Sequence, residues 1–327
     1  MALLTGDRER LTRRRPALEA RGRVLAAVRH WFESEGFLEV ETPARVRSPG
    51  QEVHLDAIAT EDRWLITSPE YAMKRLCAAG FERIVSIGKC WRAGERGPHH
   101  EPEFTMIEWY RADAPLARLA YDCEALLRVA RGAVADGASE ASRIDTAASR
   151  TTVCALLQTH AGIALDGDES AAALADKARA AGIAVAEDDA WDDIFFRIWL
   201  DRVEPALAAA GPTFVFDWPA PLGALARRRA DDPRFVERFE LYAGGIELAN
   251  AFGELTDPVE QRARFEAETV RRLALGKAVY PIDEALLVAL PGMPATAGIA
   301  LGFDRLMMVV LGAPSIRDVL PFADDEV

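Results

Sequence analysis

The sequence lacks the long apolar runs of a membrane protein. Although 50% of its residues are hydrophobic, no stretch approaches the roughly 20 apolar residues that a membrane-spanning helix needs. Its first residues include arginines but no apolar core followed by a small-residue cleavage site, so they do not resemble a secretory signal. We therefore expect a cytoplasmic protein that is not embedded in a membrane.

Cysteine and basic charge are also scarce. The chain has 4 cysteines in 327 residues, and their spacing shows no close metal-type pair, so we interpret them as small hydrophobic residues. The formal net charge is −13, which disfavours a broad polyanion-binding face. Neither a zinc-binding module nor a general nucleic-acid binder is indicated.

The most distinctive stretch that is present covers residues 91–110, where cations, imidazoles, an aromatic ring and carboxylates occur without helical periodicity. Pro102 favours a loop over 94–101, because proline restricts the residue before it. Residues 104–110 alternate in the manner of a strand, and 81–91 have strand composition. The sequence therefore predicts a hairpin with a long loop.

In such a hairpin, three side chains could converge on one ligand. The Arg92 guanidinium suits a phosphate, the Phe104 ring suits stacking on a base, and His100 lies in the loop between them. An ordinary hairpin with a charged tip explains the same residues, since such tips are common.

A second distinctive stretch is a small-residue strand that runs into an apolar helix. Gly298, Ala300 and Gly302 alternate along the strand, and Asp304 and Arg305 open the helix. Glycine allows a backbone to approach a ligand closely, and the arginine adds a cation to the positive end of the helix dipole. Together with Arg92, this stretch favours a nucleotide-phosphate site.

Acidic residues complete the pattern of polar side chains. Glu240 and Glu247 flank a Gly244–Gly245 break and could hold a magnesium ion that bridges phosphates. Asn250, Phe252 and Glu254 recur at two-residue spacing, so on a strand they share one face. That face could be the floor of an amine pocket or a simple exposed surface.

Glu70 stands in the first turn of a predicted helix, where the dipole alone would favour a carboxylate. Combined with the two arginines and the acids, it describes a nucleoside triphosphate beside a cationic substrate. The residues therefore predict ATP-driven activation.

The remaining pattern is that of an α+β protein with a helical insertion at about 114–210. Strands are predicted at 37–43, in a hairpin of 54–58 with 64–68, and again from 212 onward. Helices are predicted at 18–35, 70–79, 115–134, 151–160, 169–181, 191–209, 258–275 and 283–290, with a loop at 135–142.

The two distinctive stretches resemble motifs 2 and 3 of the class II aminoacyl-tRNA synthetases. SPEYAMKRL and PEFTMIEWY are similar to the lysyl branch, and residues 18–43 resemble motif 1, which forms a dimer interface in that family. The resemblance covers nearly the whole chain. It implies an antiparallel sheet flanked by helices, one catalytic domain over 1–327, and a homodimer.

The resemblance also implies roles for individual residues. Arg92 would contact the α-phosphate, His100 the outer phosphates and Arg305 the γ-phosphate, with adenine stacked on Phe104. Glu240 and Glu247 would be the magnesium-associated acids. The lysine-pocket positions would be Glu70, Glu108, Tyr110, Asn250, Phe252 and Glu254.

One departure concerns the architecture. Motif 1 begins about 20 residues into the chain, which leaves no room for the anticodon-binding barrel of lysyl-tRNA synthetases. This resembles a paralogous family, the elongation factor P lysine ligases, which activate (R)-β-lysine and attach it to a lysine of elongation factor P. Ala300 stands where the synthetases have glycine and the ligases alanine. The resemblance thus implies ATP, Mg²⁺, lysine or β-lysine and elongation factor P as ligands and partners, without stable tRNA binding.

Other departures lie within motif 2, where Gly94 replaces a usual glutamate and Glu101 a usual asparagine. Either Glu95 substitutes through a shifted loop, or the adenine contacts are weakened. Two alternatives stay open: a lysine-activating enzyme with another acceptor (a tRNA or a carrier), and a catalytically silent regulatory paralogue.

Overall fold

The computed structural model describes residues 2–134 and 147–327, with side chains from residue 6 onward. The loop predicted at 135–142 lies outside the described residues. The helices are α1 (Ala2–Ser34), α2 (Glu70–Ala78), α3 (Leu116–Val134), α4 (Val153–Ala161), α5 (Ala171–Ala180), α6 (Trp191–Ile198), α7 (Glu204–Ala209), α8 (Pro258–Ala274), α9 (Glu284–Ala289) and α10 (Phe303–Leu311).

The strands are β1 (Leu38–Glu39), β2 (Arg45–Val46), β3 (Ala59–Thr60), β4 (Arg63–Leu65), β5 (Arg83–Trp91), β6 (Glu103–Ala112), β7 (Ser149–Thr152), β8 (Thr213–Pro219), β9 (Phe235–Ala243), β10 (Ile246–Gly253) and β11 (Thr296–Gly302). Within the described part of the chain, no helix is both long and apolar enough to cross a membrane.

One 8-stranded sheet organises the chain, in the order β1-β5-β6-β11-β10-β9-β8-β7. Its six central strands are antiparallel, whereas the edge strands β1 and β7 pair in parallel. The predicted α+β fold is confirmed, and the two parallel edges are an addition to it. The long-looped hairpin predicted around Pro102 is the β5–β6 pair.

One face of this sheet is the main hydrophobic core. Side chains such as Trp109 on β6 and Ile299 on β11 are buried there in a single apolar cluster with residues of α1, α3 and α10. Because successive side chains of a strand point to opposite faces, Glu108, Tyr110 and Ala300 must face the other side. That second face carries the candidate site.

Helices α4 to α7 form a smaller core of their own over β8. Its centre is aromatic: Phe195 stacks on Trp199 at 5.7 Å between ring centroids, and Trp199 lies 5.1 Å from Trp218. The helix predicted at 191–209 is interrupted by a π-helical turn over Trp199–Val203. Pro205 lies two residues after this turn and has no N–H to donate, so it cannot make an α-helical hydrogen bond there.

Three local predictions differ from the structure. Helix α1 begins at Ala2 rather than at residue 18. Strand β4 pairs with β3, not with residues 54–58. Arg272 of α8 donates to the carbonyls of Glu52 and Leu55 (both 2.8 Å), so these carbonyl groups are bonded to a side chain and not to another strand. The helix predicted from 151 begins at Val153, after strand β7. Its N-cap is Thr152, whose hydroxyl accepts from the Ala155 N–H.

Candidate active site

A row of side chains crosses the sheet on the face opposite the main core. Ser86, Glu108, Ala300, Asn250 and Glu240 are consecutive cross-strand neighbours on β5, β6, β11, β10 and β9. Directly opposed residues have their Cβ atoms only about 5 Å apart. The register alone therefore places one predicted amine-binding acid, Glu108, and one predicted magnesium-associated acid, Glu240, on one surface.

A parallel row, two residues further along each strand, contains Tyr110, Gly298, Phe252 and Arg238. A Cβ added to Gly298 would lie 2.3 Å from both Tyr110 Cε1 and Glu254 Oε1. The close approach expected at this glycine is thus to two side chains of the site itself. Any larger residue would displace the wall of the predicted amine pocket.

A cavity of about 610 Å³ is lined by all the residues named in these two rows except Ser86. Helices α6 and α7 and the turn between them contribute one wall, which the sequence did not predict. All of the residues predicted for the site line this cavity: Glu70, Arg92, Glu95, His100, Phe104, Glu108, Tyr110, Glu240, Glu247, Asn250, Phe252, Glu254, Ala300 and Arg305.

Glu108 lies at the buried end of the cavity. Its carboxylate accepts hydrogen bonds from Ser68 Oγ (2.6 Å) and from Tyr110 OH (2.7 Å). Burial, together with the negative charge of Glu70, raises the pKa of Glu108 to about 8. An ammonium ligand would supply the positive charge that this buried carboxyl group lacks.

Behind these acids lies a buried cation, Lys74. Its Nζ is 2.6 Å from Glu70 Oε1 and 2.6 Å from Glu254 Oε2, and the residue is 1% exposed. Burial alone would lower the pKa of Lys74, but the two carboxylates outweigh it and the pKa is raised. Sequence reasoning missed this residue, although its i,i+4 spacing from Glu70 on α2 was a usable signal.

The pKa of Glu108 leads to a prediction about pH. An ammonium binds the ionised carboxylate, so below about pH 8 the Glu108 proton must leave when substrate binds. Raising the pH from about 7 towards 8 should therefore lower KM for the amino acid, by at most about tenfold per unit, with a plateau above. ATP–pyrophosphate exchange at a series of pH values measures this. In Glu108→Gln, KM should be high and lose that slope; an unchanged slope would contradict the assignment.

At the other end of the cavity, Arg305 is held by three acceptors. Its Nη2 lies 2.5 Å from His100 Nε2, its Nη1 donates to the Glu247 carbonyl at 2.9 Å, and its Nε donates to the His99 carbonyl at 3.2 Å. Burial and the adjacent guanidinium lower the pKa of His100. His100 is therefore neutral near pH 7 and accepts at Nε2, so it orients Arg305.

Arg92 lies beside the predicted adenine platform. Its guanidinium is 5.1 Å from the centroid of the Phe104 ring, a cation–π distance. Its Nη1 is 3.8 Å from Glu95 Oε1, and its buried Nε has no hydrogen-bond partner among the described residues. The group thus retains donor capacity for an anionic ligand.

The two predicted magnesium-associated acids stand on neighbouring strands. Glu240 accepts from Arg238 Nη2 and Tyr242 OH, both at 2.5 Å. Burial, reinforced by the charge of Glu247, raises the pKa of Glu240 to about 7. Residues 2–134 and 147–327 contain no group of three or more potential metal-ligating side chains. Carboxylate oxygens are the ligand type that Mg²⁺ prefers, usually together with phosphate oxygens, so the magnesium role of this pair stays a prediction.

The two departures in motif 2 have structural explanations. Gly94 has φ 78°, a left-handed conformation that favours glycine, and the turn there brings Glu95 to the cavity wall. Glu101 is 4% exposed, and its two oxygens accept from Arg317 Nε and the Asp324 N–H, each at 3.0 Å. Glu101 is thus an anchor for a distant segment.

That segment, residues 316–326, is here called the clasp. Its Ile316 N–H donates to the Pro98 carbonyl at 2.8 Å, and Asp324 forms an ion pair with Arg96, so the clasp grips the motif 2 loop at several points. Glu326 also pairs with Arg14 of α1 at 2.6 Å. The clasp therefore fixes the loop that joins Arg92 to His100.

Breaking the clasp should weaken ATP binding selectively. We expect Glu101→Ala to raise KM for ATP about tenfold, because a small displacement of a positioning loop is costly, and to leave KM for the amino acid within about twofold. Exchange kinetics with each substrate varied in turn measure both values. The control is Glu103→Gln, a 51% exposed neighbour. Equal increases in the two KM values would refute a local effect on the loop.

Comparison with known proteins agrees with this geometry. Residues 7–326 match the family of tRNA synthetases class II (D, K and N). An elongation factor P–(R)-β-lysine ligase of Erwinia tasmaniensis is 40% identical over 318 residues, covering 93% of this chain and 94% of the relative.

Proteins of the same name from Photorhabdus laumondii and Proteus mirabilis are 39% identical over 315 residues and 37% identical over 314 residues. Each alignment covers at least 92% of this chain and 93% of the relative. Matches of this extent show that the chain belongs to the class II tRNA synthetase family and, within it, to the family of elongation factor P–(R)-β-lysine ligases.

Proposed function

We propose that this protein uses ATP to activate (R)-β-lysine, or lysine, as an aminoacyl-adenylate and transfers the aminoacyl group to a lysine of elongation factor P. The observation that carries the proposal is the single cavity in which a buried carboxylate cluster and two arginines face each other. One end suits an ammonium and the other suits phosphates. The names of the three relatives support the same substrate and acceptor.

In the first step, the carboxylate oxygen of the amino acid attacks the α-phosphorus of ATP. An oxygen–phosphorus bond forms, the bond to the β-phosphate oxygen breaks, and pyrophosphate leaves. Arg92 and Arg305 supply fixed positive charge for the transferred and leaving phosphates. When bound by Glu240 and Glu247, Mg²⁺ would neutralise phosphate charge further.

In the second step, the neutral amine of an acceptor lysine attacks the adenylate carbonyl. The amide bond forms, the bond to the AMP oxygen breaks, and the amine releases a proton. The protein holds the two reactants in position and requires no covalent nucleophile of its own. We assign no general base.

The direct test is transfer of labelled (R)-β-lysine and labelled lysine to purified elongation factor P and, in parallel, to total tRNA. We expect label on elongation factor P only. Label on tRNA would show that the acceptor is a tRNA and not elongation factor P. If calorimetry detected no ATP binding, the protein would be a catalytically silent regulatory paralogue. That alternative was suggested by Gly94 and Glu101 in motif 2, and both residues have structural roles that weaken it.

We also propose a homodimer formed through α1 and β1, the elements that resemble motif 1. The support is the edge position of β1 in the sheet and the 51% exposure of the apolar Leu38 on it. Light scattering should then give twice the chain mass of 35.8 kDa. Leu38→Glu should shift the mass towards one chain, and a monomeric wild-type protein would contradict the proposal.

A further inference from the structure

A carboxylate that the site described above leaves without a role lies in the loop between β2 and β3. Glu52 lines the same cavity as Glu70 and Arg92. Its Oε2 is buried and has no hydrogen-bond partner within the described parts of the chain. A buried carboxylate oxygen without a partner is costly, so its presence calls for an explanation.

The loop backbone is held firmly around this residue. The Glu52 carbonyl accepts from Arg272 Nη1 at 2.8 Å, and the next N–H, that of Val53, donates to Glu268 Oε2 at 2.8 Å. A Cβ added to Gly50, whose φ is 146°, would lie 2.7 Å from Glu52 Oε2. A side chain at position 50 would therefore collide with the Glu52 carboxylate, and the backbone of Glu52 is fixed by hydrogen bonds on both sides.

The electrostatic surroundings show what could satisfy it. Burial and the charge of Glu70 raise the pKa of Glu52, while a hydrogen bond from its own backbone N–H and, after it, the charge of Arg92 lower the pKa. Glu52 thus lies within the influence of both the amine-binding acids and the predicted α-phosphate ligand. Glu70 Oε1 lies 2.6 Å from the ammonium of Lys74, an ion pair for which Glu52 has no counterpart among the described residues.

A substrate of the lysine type has two ammonium groups. The distal one suits the buried end with Glu108, and the other lies near the carboxylate, which must approach Arg92 for attack on the α-phosphorus. We propose that Glu52 binds the ammonium nearer the substrate carboxylate, the C3 ammonium in (R)-β-lysine. This inference rests on the proposed function and names the residue that makes the site select a diamino acid.

The test compares substrates that differ only in this group. In ATP–pyrophosphate exchange, which needs no acceptor protein, Glu52→Gln should raise KM for (R)-β-lysine about 10- to 100-fold, as expected for one lost charged hydrogen bond. 6-Aminohexanoate lacks the second amine, so its inhibition constant should stay within about twofold. Glu33→Gln, an 85% exposed acid on α1, is the matched control.

A second measurement separates binding from folding. If Glu52 is retained for a ligand, Glu52→Gln should unfold at the same or a higher temperature than wild type, because an unpartnered buried charge is removed. If Tm fell, and if the KM for (R)-β-lysine and the inhibition constant of 6-aminohexanoate rose by the same factor, Glu52 would be a structural residue and the inference would be overturned. Normal exchange with reduced transfer would assign it to the acceptor amine instead, which also overturns it. Wild-type protein without exchange activity would overturn the proposed function itself.

Discussion

Arg92→Ala is expected to reduce ATP–pyrophosphate exchange by about 10³-fold or more, in the range found when a group that stabilises developing phosphate charge is removed. The guanidinium lies over Phe104 at 5.1 Å and has a buried Nε without a partner within the described residues. Both features place a cation with unused donor capacity beside the predicted adenine platform. Exchange with saturating amino acid, at increasing ATP concentrations, would show whether kcat or KM carries the loss.

The control for this experiment is Arg179→Ala. Arg179 is 47% exposed on α5 and pairs only with its helical neighbour Asp176 in the contacts that the structure records. Its removal should leave exchange within about twofold, as expected for a surface ion pair. If Arg92→Ala retained exchange at the wild-type rate, the assignment of this cavity to ATP would be wrong.

Lys74→Met should destabilise the protein by about 3–5 kcal/mol, the usual cost of removing one partner of a buried ion pair. The substitution keeps the apolar stem and removes the ammonium, so that Glu70 and Glu254 would face each other without a cation between them. Burial already raises the pKa of Glu254 to about 7 against the opposing charge of Lys74. We therefore expect a lower Tm at pH 7 and a much higher KM for the amino acid.

Two variants make this result specific. Lys89→Met removes a 43% exposed lysine paired with Glu103 at 3.2 Å and should cost no more than about 1 kcal/mol. Adding Glu254→Gln to Lys74→Met should recover part of the lost stability, because one buried charge disappears. A Lys74→Met protein as stable as wild type would show that the ion pairs do not support the amine-binding end.

The positions of most site residues could be predicted from the sequence because short-range rules determine them. Alternation along β6 places Glu108 and Tyr110 on one face, and the same rule groups Asn250, Phe252 and Glu254 at the β10 end. Once the strands pair in their observed register, these sets must meet. Local patterning therefore gives both the fold class and the composition of the cavity.

Contacts between distant parts of the chain could not be predicted in this way. Lys74 meets Glu254 from another element, Arg272 holds a loop more than 200 residues before it, and Glu101 bonds to Asp324 across 223 residues. Each depends on side-chain geometry after the sheet has formed. For this reason the sequence suggested that Glu101 weakens the adenine contacts, whereas in the structure Glu101 holds the clasp in place.

The ion pairing of Lys74 also bears on chemical self-protection. An aminoacyl-adenylate acylates free amines, and the chain has four lysines in its sequence, each within 3.2 Å of a carboxylate: Lys74, Lys89, Lys177 and Lys277. A protonated amine has no lone pair with which to attack a carbonyl. Lys74, the lysine directly behind the amine-binding acids, is held in that form by two carboxylates. Lys74 is therefore kept unreactive beside the proposed adenylate site, which leaves acylation to an amine brought by another protein.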